Sequence, residues 1–329
     1  MKILVTGANS LLGHHIVFEL LNRLHDVRII VRNDNNIYFD KEKVQIFKGN
    51  FYDETLLNEA LEGCEAVIHI AAITSTDLLN YKDYKSINFD ACKTLLHVAE
   101  AKSINKIVFI STTNTIGYGC KNLKADEKWL FEYPFTESFY AKSKFKAERV
   151  FIQFAKNHPE KHVIIINPGF MIGSYDVKPS SGKLILTGFN KKFVILPNGG
   201  KNFVPVKDVA VASCNALTMG ISGERYLATG NDNISFRKFF KKMKNIYGYT
   251  QYMIILPGFL FKFLGGLGDI IRFLRIKTSL SSRNINQLLI KEYYANQKAI
   301  DQLQMPETSL EEAIKQAIEW FKSHGKIKT

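Results

Sequence analysis

An α/β fold, in the form of a doubly wound parallel sheet with a smaller, mainly helical C-terminal region, is predicted by two features of this 329-residue sequence. Short apolar segments alternate with segments of helical periodicity through the first half, a pattern typical of parallel strands with helices on both faces. A turn rich in small residues also joins the first predicted strand to the first predicted helix. Beyond residue 230 the pattern is mostly helical.

The individual elements follow from apolar runs bounded by polar turns. Strands of the first half are predicted at residues 2–5, 27–31, 44–47, 66–70, 107–110 and 163–167. Helices between them are predicted at residues 11–23, 54–61, 87–101 and 137–157. Later elements are strands at 203–206 and 226–228, a helix at 207–219 and a closing helix at 310–321. Ser309 is the expected N-cap of that closing helix.

Composition and charge limit the range of partners. The formal net charge is +13 and the pI about 9.4, but the basic residues are spread along the chain, so we expect no nucleic-acid partner. Cys64, Cys92, Cys120 and Cys214 are far apart in sequence, which predicts reduced thiols and no metal site. The first strand begins at Lys2 and leaves no room for a signal peptide, so we expect a cytoplasmic protein.

The most apolar long segment is residues 253–274, which Lys262, Asp269 and Arg272 interrupt. A membrane-spanning helix needs a cleaner apolar run, so we expect no integral membrane segment. The first interpretation of this segment is a core or lid helix. The alternative is a helix that lies in a membrane interface, and this leaves open a weak association with a membrane surface.

The turn after the first strand has the form of a dinucleotide-binding loop. Gly7 allows a tight turn, and Gly13 allows the helix to pack closely on the sheet. The N-terminus of that helix offers free N–H groups and the positive end of its dipole to a pyrophosphate. Ser10 stands where the usual fingerprint has a third glycine. The residues expected to contact the dinucleotide here are Gly7, Asn9, Ser10, Leu11, Leu12 and Gly13.

The end of the second strand predicts which dinucleotide binds. NAD-binding folds generally have an acidic residue here that holds the ribose 2′-hydroxyl group. This chain has Val31 followed by Arg32, and an arginine would attract a 2′-phosphate. We therefore predict NADP as the preferred cofactor, with NAD as the alternative.

Tyr140 and Lys144 are four residues apart on a predicted helix and therefore share one helix face. An ammonium group beside a phenol favours the phenolate, so Lys144 is expected to lower the pKa of Tyr140. A phenol tuned in this way can serve as a general acid or base.

Further segments accompany the turn and the Tyr140–Lys144 pair: residues 50–51, residues 69–72, Asn88 and residues 167–173. Together they resemble the extended short-chain dehydrogenase/reductase family, of the NAD-dependent epimerase/dehydratase type, over most of the chain. Within that family, residues 176–182 and 293–320 make the sequence similar to dihydroflavonol-reductase-like proteins and hopanoid-associated sugar epimerases.

The resemblance implies a Rossmann fold and catalytic roles for Tyr140 and Lys144. It also implies a third catalytic group, a hydroxyl that follows the fifth strand. Thr112 aligns with that position, and its neighbours Ser111 and Thr113 are alternatives. Besides Tyr140 and Lys144, the residues implied in cofactor contact are Asn50, Phe51, Ala71, Ala72, Pro168 and Phe170.

We predict two regions. Residues 1–170 form a dinucleotide-binding domain to which residues 203–230 return, whereas residues 171–202 and 231–329 form the substrate-binding region. The second region is expected to pack over the carboxyl ends of the strands, where sheets of this type bind ligands.

The predicted function is hydride transfer between NADP(H) and a carbonyl or alcohol substrate, with Tyr140 as general acid or base. One alternative is a nucleotide-sugar epimerase or dehydratase that retains NAD. A second is a dinucleotide-sensing protein without catalysis. The expected partner is a small-molecule substrate, and the expected oligomeric state is a homodimer or a monomer.

Overall fold

A seven-stranded, all-parallel sheet forms the centre of the molecule in the computed structural model, which describes residues 1–327. Its strand order is β10-β6-β5-β4-β1-β2-β3. In chain order the strands are β1 (Lys2–Thr6), β2 (Asp26–Val31), β3 (Val44–Lys48), β4 (Ala66–His69), β5 (Lys106–Ile110), β6 (His162–Pro168), β7 (Phe170–Ile172), β8 (Phe193–Leu196), β9 (Gly200–Pro205), β10 (Arg225–Ala228), β11 (Asp232–Ser235) and β12 (Tyr252–Ile255). The order reverses between β1 and β4, and this is the switch point where such sheets bind ligands. The predicted doubly wound sheet is confirmed.

Helices cover both faces of the sheet. In chain order they are α1 (Leu11–Asn22), α2 (Glu54–Ala60), α3 (Tyr81–Lys85), α4 (Ala91–Ala101), α5 (Phe139–Asn157), α6 (Lys183–Gly188), α7 (Val206–Asn215), α8 (Phe236–Tyr247), α9 (Gly258–Phe273), α10 (Ser282–Leu289), α11 (Gln297–Leu303) and α12 (Leu310–Ser323). Ser309 caps α12 by accepting a hydrogen bond from Glu311 N–H, as predicted.

Two apolar cores lie on the two faces of the large sheet, because alternate residues of a strand point to opposite sides. Ile3 and Ile29 pack on the face covered by α1, α7 and α11. Leu4 and Ile30 pack on the face covered by α2, α4 and α5. All four side chains are buried. This double coverage explains why the strands are nearly continuous apolar runs.

A third core belongs to the C-terminal half of the chain, where α8 and α12 pack on α6 and on strands β8 and β9. Strand β9 pairs with β7 and β11 in a separate three-stranded sheet, and β8 pairs with β12. Of the segment 203–230, β10 joins the large sheet and α7 packs against α1. The division of the chain into two regions stays a prediction.

Two segments differ from their sequence-based descriptions. The helix predicted at residues 87–101 begins earlier, at Tyr81, and contains a π-helical turn at Ser86–Asp90. Residues 253–274 were expected to form a core or lid helix. The core interpretation is wrong, because most of the large apolar side chains of α9 are exposed to solvent, whereas the lid interpretation stays a prediction. Within the described residues 1–327, no helix combines the length and apolarity needed to cross a bilayer.

Candidate active site

The turn between β1 and α1 is shaped by two glycines that cannot be replaced without displacing the backbone. Gly7 has φ of +75°, and a Cβ atom there would lie 2.8 Å from the Ala71 nitrogen. A Cβ atom at Gly13 would lie 2.2 Å from the Gly7 carbonyl oxygen. Ser10 is the N-cap of α1, and its Oγ accepts a hydrogen bond from Gly13 N–H at 3.1 Å. The serine therefore orders the turn with the hydroxyl that the usual glycine lacks.

Thr6 ties this turn to the loop that follows β4. Its buried Oγ1 accepts hydrogen bonds from Ile70 N–H and Ala71 N–H, each at 3.3 Å. The same oxygen lies 2.7 Å from Nδ1 of His69. Burial lowers the pKa of His69 to about 3, so the ring is neutral and can accept the threonine proton. Ala71 and Ala72 are thereby held next to Gly7.

The carboxyl ends of β2 and β3 lie at the same end of the sheet, on the other side of β1 from β4. Arg32 follows β2, is exposed, and has no ion-pair partner within residues 1–327. The nearby Asp34 carboxylate is paired with Lys48 at 3.2 Å and with Lys41 at 3.7 Å. Beyond β3, Asn50 is exposed, whereas Phe51 is buried with its ring centroid 4.9 Å from that of His69.

Helix α5 carries the Tyr140–Lys144 pair at its N-terminal end, where Ser138 caps the helix by accepting from Ala141 N–H at 3.3 Å. Lys144 is buried, and its Nζ donates to the Ile110 carbonyl at 2.8 Å. The same Nζ lies 4.1 Å from the ring centroid of Phe109. The lysine therefore anchors the helix to the end of β5.

The expectation that Lys144 lowers the pKa of Tyr140 is wrong for this structure. Burial raises the pKa of the Tyr140 phenol to about 12, and a side-chain hydrogen bond with Thr112 only partly opposes that rise. Burial also lowers the pKa of Lys144 to about 8. The cause is that desolvation penalises the charged form of both groups. Tyr140 is accordingly a neutral phenol, a proton donor, at neutral pH.

Three hydroxyl residues follow β5, and the structure separates their roles. Ser111 Oγ donates to the Glu148 carboxylate at 2.6 Å and so points into the protein. Thr113 is buried, and its carbonyl accepts from the Tyr294 hydroxyl at 3.5 Å. Thr112 is the one whose side chain lies close enough to Tyr140 to oppose the rise in the pKa of its phenol. The geometry thus favours Thr112 over its two neighbours as the third catalytic group.

Sequence reasoning missed Glu148, a buried carboxylate one helical turn beyond Lys144. It accepts hydrogen bonds from Ser111 Oγ, from Thr115 Oγ1 at 2.9 Å and from Asn167 Nδ2 at 2.8 Å. Arg225 pairs with its other oxygen at 3.3 Å. The signal in the sequence was its position four residues after Lys144, on the same face of α5.

Asn88, in the π-helical turn, connects the cofactor-side loop to α5. Its side chain makes two hydrogen bonds with the backbone of Ile73, accepting from N–H at 2.7 Å and donating to C=O at 3.0 Å. It also donates to Ser143 Oγ at 3.0 Å, and that hydroxyl donates to the Tyr140 carbonyl at 2.7 Å. A π-turn of this kind often occurs at functional sites.

The segment at the end of β6 supplies the remaining residues that were expected to contact the cofactor. Pro168 is buried at the end of β6, and Phe170 is half-buried with its ring 5.4 Å from that of Phe203. A cleft opens in front of Tyr140, and its wall includes Leu78, Arg272 and Arg283. The Arg283 guanidinium lies over the Phe139 ring at 4.1 Å.

The residues fit a dinucleotide. The glycine turn, the N-terminus of the twelve-residue helix α1 and the loop at Ala71 form a cradle that a Cβ atom at Gly7 would obstruct. The ends of β1, β4, β5 and β6 bring Gly7, Ala71, Thr112 and Pro168 to one edge, beside Tyr140 of α5. Arg32 and Asn50 lie farther along that edge, at the ends of β2 and β3.

Comparisons with known proteins agree with this geometry. The sequence model of the NAD dependent epimerase/dehydratase family matches residues 3–228. The chain is 27% identical to the putative dihydroflavonol 4-reductase of Synechocystis sp., over 99% of this chain and 96% of that protein. It is 26% identical to sterol demethylase protein B of Methylococcus capsulatus, over 99% and 100% of the two chains.

Solved structures show the fold. UDP-glucose 4-epimerase of Thermus thermophilus, solved in complex with NAD, superposes with a TM-score of 0.76 at 19% identity, over 98% of this chain and 99% of that one. This likeness confirms the expected Rossmann-type sheet.

Gly13→Ala is expected to destabilise the protein by about 1–3 kcal/mol, because the new methyl group must displace backbone atoms of the turn. Urea unfolding measures the change in the free energy of unfolding. Gly266→Ala in α9 is the matched control, since no atom lies within 4 Å of its Cβ position. It should be neutral or stabilising by about 0.5–1 kcal/mol. Equal effects of the two substitutions would contradict this account of the turn.

Glu148→Gln is expected to cost about 3 kcal/mol of unfolding free energy, because it removes one partner of a partly buried ion pair and disturbs a buried hydrogen-bond network. The control is Glu62→Gln, which disrupts the exposed pair with Lys102 and should cost less than about 1 kcal/mol. Denaturant titration of both variants measures the free energy of unfolding. An unchanged value for Glu148→Gln would show that the network is dispensable.

Proposed function

Because this chain belongs to the NAD dependent epimerase/dehydratase family, we propose that it is an oxidoreductase that transfers hydride between NADP(H) and a carbonyl or alcohol substrate. Membership of the family makes it an NAD(P)-dependent oxidoreductase or epimerase of the short-chain dehydrogenase/reductase type. The finer proposal concerns the direction of proton transfer, the residues that carry it and the preferred dinucleotide.

One observation carries the proposal: the phenol of Tyr140 and the hydroxyl of Thr112 lie together beside the cradle formed by the Gly7 turn and Ala71. With its pKa raised to about 12, Tyr140 holds its proton at neutral pH and can give it to an oxygen that gains negative charge. Thr112 offers a second hydroxyl to the same oxygen, where a hydrogen bond strengthens as charge develops. A group poised as an acid suits the reduction of a carbonyl.

In the proposed reduction, a dinucleotide held by the Gly7 turn and the loop at Ala71 would supply the hydride for the carbonyl carbon. Tyr140 donates its phenolic proton to the carbonyl oxygen, and the product is the alcohol. Lys144 holds α5 against the end of β5 through the Ile110 carbonyl. Proton return to Tyr140 from solvent closes the cycle. Oxidation of an alcohol is the same sequence in reverse.

The preference for NADP is supported by the charges at the end of β2. Arg32 is exposed and without an ion-pair partner in residues 1–327, so its guanidinium is available to a 2′-phosphate. Asp34 is the acidic residue nearest to that strand end, and two lysines already engage it. A carboxylate occupied in this way is a poor acceptor for the ribose hydroxyl of NAD.

The alternative within the family is an epimerase or dehydratase that retains NAD throughout its cycle. Two of the relatives that align along nearly the whole chain are named as a reductase and as a sterol demethylase protein, which supports oxidoreduction over sugar epimerisation. NAD that copurifies and resists dialysis would favour the epimerase, whereas exchangeable NADP would favour the reductase.

Tyr140→Phe is expected to lower kcat about a hundred- to ten-thousand-fold, because the variant has no proton to donate. The assay follows oxidation of NADPH with an aromatic 1,2-diketone as an activated probe carbonyl. Dinucleotide affinity, measured by fluorescence titration, should stay within about twofold of wild type, since no positive charge or backbone donor is lost. Tyr133→Phe, at an exposed tyrosine, is the control. Parallel loss of binding and turnover would assign Tyr140 a structural role.

Arg32→Gln is expected to weaken NADPH binding about tenfold or more, because a charge-assisted hydrogen bond to the 2′-phosphate is lost. Its affinity for NADH should be unchanged, so the ratio of the two dissociation constants is the readout. Arg149→Gln, at an exposed arginine of α5, controls for the general loss of positive charge. Equal weakening of NADH and NADPH would overturn the assignment of Arg32.

A further inference from the structure

The exposed apolar side chains of this protein are concentrated in one segment. More than half of the exposed large hydrophobic residues in the described chain lie within residues 252–276, on β12, α9 and the turn that follows α9. Phe263 of α9 is 66% exposed and Phe273 is 87% exposed. Soluble proteins rarely expose a contiguous patch of this extent, which normally marks an interaction surface.

Helix α9 is built to present this surface. Its glycines at 265 and 268 are buried, and Cβ positions there lie 3.0 Å from Ser282 Cα and 2.0 Å from the Leu280 carbonyl oxygen. The helix therefore rests on the start of α10 through its smallest residues. The large exposed residues recur at helical spacing and are Phe259, Leu260, Phe263, Leu264, Leu267, Ile270, Ile271 and Phe273.

Strands β8 and β12 extend the apolar surface at the point where the chain enters α9. Phe193 pairs with Tyr252, and Ile195 pairs with Ile254, so these four side chains share one face. All four are exposed, and the Phe193 and Tyr252 rings stack at 5.4 Å. We call the exposed residues of β8, β12 and α9, with Leu274 and Ile276, the apolar platform.

The charged residues next to the apolar platform in the sequence are almost all basic. Its basic neighbours in the chain are Lys191, Lys192, Lys262, Arg272, Arg275 and Lys277. Between residues 251 and 283 the only acidic residue is Asp269, whose carboxylate accepts from Ser282 N–H at 3.2 Å. An apolar face with a basic rim matches a bilayer surface with acyl chains below anionic headgroups.

We propose that the apolar platform docks the protein on an anionic lipid bilayer, with α9 lying in the interface. The helix cannot span the bilayer, because sixteen residues extend about 24 Å and the hydrocarbon core is about 30 Å thick. A second copy of this chain is a poorer occupant, since a two-fold interface would set one basic rim against the other.

The platform also adjoins the cleft of Tyr140. Arg272, in the last turn of α9, donates to the carbonyls of Asp77 at 3.1 Å and Leu78 at 2.5 Å. Leu78 and Arg272 are both part of the cleft wall in front of Tyr140. Docking through α9 would therefore place the mouth of that cleft near the bilayer surface.

The test is sedimentation with vesicles of phosphatidylcholine, with and without phosphatidylglycerol, using the full chain. The wild-type protein should bind the phosphatidylglycerol vesicles, and raised salt should weaken binding because it screens the basic rim. The variant Phe263→Glu with Ile270→Glu should bind at least about tenfold more weakly. The matched control, Leu24→Glu with Leu130→Glu, changes two exposed residues elsewhere and should bind like wild type.

A second variant, Arg275→Gln with Lys277→Gln, keeps the apolar surface and should reduce binding to phosphatidylglycerol vesicles about tenfold. Dinucleotide affinity and far-UV circular dichroism verify that each variant is folded. The proposal is overturned if the wild-type protein does not bind either kind of vesicle. It is also overturned if the platform variant converts a dimer to a monomer, by light scattering, without any effect on vesicle binding.

Depth measurements supply an independent readout. A fluorophore is attached at Phe263→Cys or at Leu24→Cys, each in a Cys120→Ser background, since Cys120 is the exposed cysteine among residues 1–327. Brominated acyl chains should quench the label on α9 and leave the label at position 24 unquenched. Equal quenching, or none at either position, would contradict docking through the platform.

Discussion

The hydrogen bonds and the ion pair of the buried Glu148 carboxylate are the interactions on which the candidate active site depends. A charged group can remain inside a protein only when hydrogen bonds and an opposite charge replace its hydration. Here the partners come from the end of β5, from Asn167 of β6 and from Arg225 of β10, so a single group from α5 joins three adjacent strands. Asn167 also donates to the Thr112 carbonyl at 3.0 Å, which fixes the backbone of the hydroxyl that meets Tyr140.

Burial, rather than the charge of Lys144, determines the direction in which the pKa of Tyr140 is shifted. The Lys144 Nζ donates to the Ile110 carbonyl and lies over the Phe109 ring, and desolvation lowers the pKa of the lysine. Tyr140 therefore keeps its proton. The phenol that we propose as the acid is held in place by helix capping at Ser138 and by the link from Asn88 through Ser143. Rigid placement of this kind is what general acid catalysis requires.

The sequence predicted the elements well because their signals are local. Short apolar runs predicted the strands of the large sheet, and Ser309 as an N-cap predicted the start of α12. The hydrogen-bond partners of Thr6 and Glu148 could not be predicted from the sequence, because they lie 63 and 37 positions away, at His69 and Ser111. Spacing could place Tyr140 and Lys144 on one face, but it could not reveal that Lys144 turns toward β5. That choice depends on tertiary packing around Phe109.

The apolar segment at residues 253–274 is a second case in which the sequence pattern alone could not predict the packing. Hydrophobicity indicates that side chains leave water, but it does not indicate whether they enter the protein core or another apolar phase. In this structure the small residues of α9 take the place in the packing that large ones usually fill, so the phenylalanines remain outside. Folding alone gains nothing from such exposure. An arrangement that exposes eight large apolar residues of one helix to solvent makes physical sense when a second surface covers them, and the basic residues beside the helix indicate that this surface is anionic.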